Sequence, residues 1–252
     1  DMTVIPDGVV HVVGNRIEAV GTRKELKVPD GATVIDGKGM TMMPGLVDVH
    51  SHHGSSEGGV MAQRSWALSA MLAFGVTTIH DPSNDTQGFY AESELVTAGR
   101  RMGPRMLSTG TILYGAEGDF KAVVNSYEDA KEAVARTIAW GPRSVKSYQQ
   151  PRRAQRQQVL KACRDLGVLC VPEGGSTLSN NLTHILDGHT TVEHAIAVAP
   201  LYQPEIRLFA ESGTCYTPTL VVGYGGLWGE NWWYAKTKVW ENERLLRFVP
   251  RS

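Results

Sequence analysis

The sequence predicts an α/β fold built on a parallel sheet, and three observations carry that expectation. From Pro44 onward, short apolar runs alternate with stretches of helical periodicity. Those stretches carry end signals: Ser126 with Asp129 three residues on at a start, Gly167 and Gly213 just past ends. The 252 residues, 42% hydrophobic, are enough to bury a large core. Strands that alternate with helices pair in parallel. Seven such repeats exceed the needs of most open sheets and fall one short of a (β/α)8 barrel.

Residues 1–43 come first and read differently. They hold the β-favouring runs Val9–Val13, Arg16–Val20 and Thr33–Ile35, cut by Gly, Pro and Asp as hairpins in a small β module are. Over residues 44–252 the expected strands are Leu46–His50, Val76–Asp81, Arg105–Ser108, Ser144–Tyr148, Val168–Glu173, Thr191–Ala195 and Cys215–Val221. Helices are expected over Gln63–Phe74, Thr86–Met102, Tyr127–Trp140, Ala154–Leu166, Leu178–Leu186 and Gln203–Ser212. No repeat of fixed period accompanies them, which argues against a solenoid.

Composition excludes several classes. Lys+Arg 25 against Asp+Glu 26 gives a formal charge of -1 and no general pull toward nucleic acid or anionic lipid. No window reaches the roughly 18 unbroken apolar residues of a membrane span. Asp1 to Gly14 lack a basic stretch followed by an apolar one, so no signal peptide is read and the compartment stays open. Cys163, Cys170 and Cys215 are too few and too scattered for a disulfide framework or a cysteine zinc cluster. Both ends are abrupt, and the chain reads as a fragment of a longer protein.

The chemistry concentrates at strand ends. The sharpest feature is Pro44-Gly-Leu-Val-Asp-Val-His50-Ser-His52-His53-Gly54. Residues two apart on a strand share a face, so His50 and His52 can aim both imidazoles at one ion. Such a pair suits zinc, at Zn–N distances of about 2.0–2.1 Å. Surface histidines in a turn are the other reading of the pair by itself. Nothing matches a phosphate-binding glycine loop, a serine nucleophile elbow or a catalytic Cys–His pair.

The run Met43-Pro-Gly-Leu-Val-Asp-Val-His-Ser-His52 closely resembles the first barrel strand of the amidohydrolase superfamily. Gly14-Asn-Arg-Ile-Glu-Ala-Val-Gly21 and Val34-Ile-Asp-Gly-Lys-Gly39 look like its N-terminal β-sandwich segment. Gly75-Val-Thr-Thr-Ile-His-Asp81 is similar to its second strand. The resemblance is nearest to the imidazolonepropionase-like and Xaa-Pro dipeptidase (prolidase) branch, including members fused to a β-propeller. It implies a partial β-sandwich over residues 1–43 and a C-terminally truncated (β/α)8 TIM-like barrel of about seven βα units over 44–252. It also implies a metal-dependent hydrolase that cleaves the carbon–nitrogen bond of an amide, cyclic amide or dipeptide through a metal-activated hydroxide.

The ligands follow residue by residue from that resemblance. Lys146, in Ser144-Val-Lys-Ser-Tyr148, fits the fourth-strand lysine that becomes carboxylated and bridges two metals. Only a neutral amine takes up carbon dioxide, and burial near cations lowers a lysine's pKa. His194, in Thr191-Val-Glu-His-Ala195, fits the sixth-strand histidine, with Glu193 turned the other way and structural. The fifth strand departs: Glu173 stands where a histidine is expected, as a ligand or as a supporting or substrate-contacting carboxylate. His50, His52, Lys146, Glu173 and His194 would hold one or two divalent ions, zinc or else manganese. Tyr148, Arg152 and Arg153 are candidates to hold a substrate carboxylate. Asp81 could help orient a ligand, although a strand-end hydrogen bond is the favoured reading, while His184 and His189 are read as structural or loop residues. Gly223 to Tyr234 could cover the substrate or meet a partner domain, and a homo-oligomer or covalently linked extra domain is the expected partner. The proton-shuttling aspartate of the eighth strand has no counterpart here, so 1–252 alone is expected to be inactive. The competing reading is a catalytically silent metal- or ligand-binding module of a larger protein.

Overall fold

A computed structural model describes residues 3–54, 60–115, 123–175, 177–196, 198–219, 234 and 236–250. The chain divides into two compact units, Asp1–Pro44 and Gly45–Ser252.

In the first unit, β1 (Gly8–Val13) and β2 (Arg16–Thr22) form an antiparallel hairpin. Gly14 turns it at φ 60, a left-handed position that glycine takes without steric cost. The expected run Thr33–Ile35 is not a strand. Val34 and Ile35 are 69% and 89% exposed, so this run has no face to bury that would favour strand pairing. Among the described residues no second sheet faces the hairpin, and a sandwich is not seen.

The second unit alternates strand and helix as expected. Its strands are β3 (Leu46–Asp48), β4 (Val76–Asp81), β5 (Arg105–Ser108), β6 (Leu113–Tyr114), β7 (Ser144–Tyr148), β8 (Leu169–Pro172), β9 (Thr191–Glu193) and β10 (Cys215–Thr217). Every recorded pair is parallel, in the orders β3-β4-β5, β6-β7-β8 and β9-β10. The helices are α1 (Trp66–Ala73), α2 (Thr86–Thr97), α3 (Tyr127–Ile138), α4 (Arg153–Asp165), α5 (Leu178–Asp187), α6 (Gln203–Ser212) and the short α7 (Glu243–Leu246). Among the described residues, β6 and the short elements near the end of the chain were not anticipated. The Ser126–Asp129 pair forms the expected capping box at the start of α3, satisfying two otherwise orphaned donors. Helix α2 stops at Thr97, short of the expected Met102, where Gly99 takes φ 68.

Strand alternation sorts apolar from polar. On β7, Val145 faces a core shared with Val134 of α3, Val159 and Cys163 of α4 and Cys170 of β8. Leu68, Ile79, Phe89 and Met106 form a second cluster between α1, α2 and the strands β4 and β5. The opposite faces carry polar side chains that meet across the unit. His80 Nε2 on β4 lies 2.9 Å from Ser144 Oγ on β7, and His50 Nδ1 lies 2.6 Å from Glu193 Oε2 on β9. Strands far apart in sequence therefore turn their inner faces toward one another.

Two predictions follow from this packing. Phe89 is fully buried, so Phe89→Ala should cost about 3–5 kcal/mol through the cavity it leaves, read as a lowered urea midpoint. A loss under about 1 kcal/mol would mean that the cluster around α2 repacks.

The second concerns His184 and His189, both buried, with ring centroids 5.0 Å apart. Burial, helped by His189 and Arg156, pushes His184 down to about 3. Burial likewise brings His189 to about 4, against the bond from its ring to the His184 carbonyl. An unfolded histidine titrates near 6.5, so below that pH the unfolded chain takes protons that the folded chain refuses. Stability should be undiminished above pH 6.5 and fall as the pH drops toward about 4. His189→Gln should flatten that slope in urea titrations; an unchanged slope would assign it to other groups.

Candidate functional site

Of the residues expected to act together, His50, His52, Lys146, Glu173, His194 and Tyr148 converge at the strand ends of the second unit. Lys146 is carried inward by the alternation of β7 and is only 1% exposed. Its Nζ lies 2.7 Å from Glu173 Oε2, and the other oxygen of that carboxylate lies 2.6 Å from His194 Nε2. The rings of His50 and His194 are 4.7 Å apart and those of His50 and His52 5.0 Å. Tyr148 packs edge-on against Tyr114 at 5.2 Å, with its ring 5.9 Å from Lys146 Nζ.

Local backbone explains how two elements supply these groups. Strand β8 ends at Pro172, which has no N–H for the ladder, and releases Glu173 from strand pairing. A Cβ at Gly174 would sit 1.8 Å from the Glu193 carbonyl oxygen, so only glycine lets the chain pass β9 there. After β9, His194 adopts φ 65, a left-handed conformation uncommon for a residue with a side chain. That break ends the strand alternation. Glu193 was expected to point away from His194; instead it is 3% exposed and bonds His50.

Each of the three imidazoles is held at Nδ1. His50 meets Glu193 at 2.6 Å, His52 meets Asp81 at 3.2 Å, and His194 meets Thr219 Oγ1 at 2.9 Å. An ionised carboxylate only accepts, so Nδ1 of His50 and His52 carries a proton, and in the neutral ring Nε2 keeps its lone pair. Carboxylate-tied imidazoles of this kind are typical of metal ligands. His50 Nε2 is buried with no hydrogen-bond partner among the described residues. His194 is arranged the other way: its Nε2–H donates to Glu173, and Nδ1 accepts from the Thr219 hydroxyl.

The charges agree with this geometry. Burial pushes Glu173 up, yet the bonds from His194 and Lys146 outweigh it and hold the carboxyl at about 2. Asp81 is lowered the same way, with burial overcome by His52, Asn84, Ser83 and the His53 N–H. Asp81 raises His52 in return, against the opposing effect of burial. Glu193 is lowered mainly by His50, again against burial. For Tyr148, burial, then Glu173 and Tyr114, push the phenol up.

Other expectations fare differently. Arg153 forks onto Asp187 of α5, with Nη2 2.6 Å and Nε 3.0 Å from Oδ1, and so joins α4 to α5. Arg152 is exposed, and its backbone N–H bonds Gln155 Oε1 at 3.0 Å. The stretch Gly223 to Trp233 lies outside the described residues. Among the described residues, no three His, Cys, Asp or Glu side chains form a ready metal cluster. Glu173, spent on Lys146 and His194, accounts for this in part. The donor types nonetheless suit zinc or manganese: imidazole nitrogens with fixed tautomers, a free buried Nε2 and a carboxylate.

No family model matches the chain. It is 33% identical over 135 residues to an imidazolonepropionase of Alkaliphilus metalliredigens (strain QYMF), covering 38% of this chain and 32% of that protein. It is 24% identical over 274 aligned positions to an imidazolonepropionase of Alkaliphilus oremlandii (strain OhILAs), covering 84% of this chain and 62% of that protein. The chain thus spans 32% and 62% of these relatives' lengths. Among solved structures, molinate hydrolase superposes with TM-score 0.70 at 16% identity, over 98% of this chain and 64% of its own. A Xaa-Pro dipeptidase with methionine in its active site gives TM-score 0.61 at 17% identity, over 96% and 66%. These structures establish a shared α/β fold. The sequence relatives and the shared fold are together consistent with the amidohydrolase superfamily.

Proposed function

We propose that the second unit is the metal-holding part of a hydrolase that cleaves a carbon–nitrogen bond in a small amide, cyclic amide or dipeptide. The observation that carries this reading is the tying of His50 and His52 at Nδ1 by Glu193 and Asp81, which in the neutral rings turns Nε2 toward the metal-binding role. His50, His52, His194, Glu173 and Lys146 would together hold one or two divalent ions, zinc or manganese. When bound, such an ion supplies Lewis acidity toward water and toward a carbonyl oxygen. The chain's own groups do the rest. Glu193 and Asp81 hold the Nδ1 protons and fix the ring planes. Glu173, held as a carboxylate by Lys146 and His194, accepts donors or a cation. The Tyr114–Tyr148 pair walls one side of Lys146 and gives a substrate an apolar surface to rest against.

Carboxylation of Lys146 belongs to the same proposal. It would set a second carboxylate against Glu173, and two facing carboxylates need cations between them to stay ionised. The silent-module reading draws on the opposite observation, the direct Lys146–Glu173 ion pair. Assaying dipeptides, acylated amino acids and lactams with a metal-loaded chain that also carries the expected eighth strand separates the two: turnover supports the hydrolase, and metal uptake without turnover supports the silent module.

Replacing His50 and His52 together by Ala should abolish metal uptake, measured by atomic emission, while the circular-dichroism spectrum stays native. Equal metal content in wild type and the double variant would sink the assignment.

Glu173 should discriminate metals. Glu173→Ala should weaken binding about 10–100-fold, whereas Glu173→His should keep binding and shift preference from manganese toward zinc. Unchanged affinity and selectivity in both variants would remove Glu173 from the ligand set.

A further inference from the structure

Beside this centre lies a second buried charge cluster that no step above uses. The ring of His53, next in sequence to His52, is almost wholly enclosed, with Nε2 2.8 Å from Glu92 Oε2 on α2. Glu92 is 0% exposed, and its other oxygen lies 3.0 Å from Arg101 Nε, beyond the end of the helix. Phe89, one turn earlier on α2, is locked in the apolar cluster, so Glu92 is presented from a packed helix face. Buried charge networks seldom add net stability over apolar packing of equal volume. This one has a directional consequence instead. His53 Nδ1 has no partner among the described residues, which leaves Glu92 to set the ring's orientation.

The His53 backbone is gripped as well. Its N–H donates to Asp81 Oδ2 at 2.9 Å, and its carbonyl accepts from Asn84 Nδ2. The other oxygen of Asp81 takes His52 Nδ1 at 3.2 Å. A single carboxylate therefore couples the His53 backbone to the His52 ring, and any swing of residue 53 moves the imidazole of residue 52.

We propose that Glu92, backed by Arg101, is a positioning residue: by anchoring His53 it fixes the turn that presents His52 Nε2 to a divalent cation. This rests on the metal reading of the chain. The test uses residues 1–252 with Co²⁺ as the probe. Replacing Glu92→Met and Arg101→Leu together removes both charges at similar volume. The melting temperature should hold or rise, Co²⁺ affinity should fall about tenfold or more, and the Co²⁺ d–d absorption should change shape. Without metal, hydrogen exchange in residues 46–54 should accelerate in the same variant. Glu92→Gln keeps an acceptor for His53 and should restore most of the affinity and the wild-type spectrum. If the double variant does not fold, His53→Leu carries the same three measurements. Wild-type Co²⁺ affinity, spectrum and exchange in the charge-free variant or in His53→Leu would overturn the proposal and leave the cluster a purely structural role. A wild-type chain that takes up no Co²⁺ would overturn the metal reading and this proposal with it.

Discussion

A carboxylate carried inward among strand ends must be given donors or lose its charge, and Glu173 organises the second unit's inner face around that demand. Lys146 reaches it from β7 and His194 from beyond β9, so two strand ends distant in sequence are tied to one side chain. Neither bond forms without a particular backbone: Pro172 ends the ladder before Glu173, Gly174 lets the chain pass the Glu193 carbonyl, and His194 accepts a left-handed φ. A local conformational cost of this kind persists only where the surroundings hold it, and such positions cluster at functional sites.

The polar interior is supported from outside by apolar contact. Val145 and Lys146 are neighbours on one strand yet serve opposite faces, one in the helix-packed core and one in the polar cluster. The same division holds around α2, where Phe89 secures the helix and Glu92 uses the position thus secured. Helices packed against strands keep the charged groups within hydrogen-bond reach of one another. Rotamers and tautomers are then set by neighbours rather than by solvent, as a preorganised site requires.

Much of this was legible in the sequence. Alternating apolar runs and helical stretches located seven parallel strands, because side-chain period depends on local backbone geometry and survives without tertiary context. His50 and His52 stood out by their spacing, whereas Lys146, Glu173 and His194 were reached through the family resemblance; the structure brings all five together at strand ends. Asp81 was readable too, as the residue that ends its strand.

What sequence alone could not decide was direction and partnership. Glu193 was assigned to the wrong face because alternation holds only while φ stays extended, and the turn at His194 breaks it. The partner that α5 brings to Arg153, Asp187, lies 34 residues away and has no signal in local pattern. Thr33–Ile35 had the composition of a strand but packs against nothing that would bury its apolar residues. His53, Glu92 and Arg101 gave no signal, being a loop residue, a helix residue and a post-helix residue with unremarkable spacing. Local pattern determined which elements form and which faces they offer. The choice of partner for each buried charge was a tertiary matter, because a hydrogen bond across 39 residues, such as that of His53 to Glu92, is specified by packing and not by period.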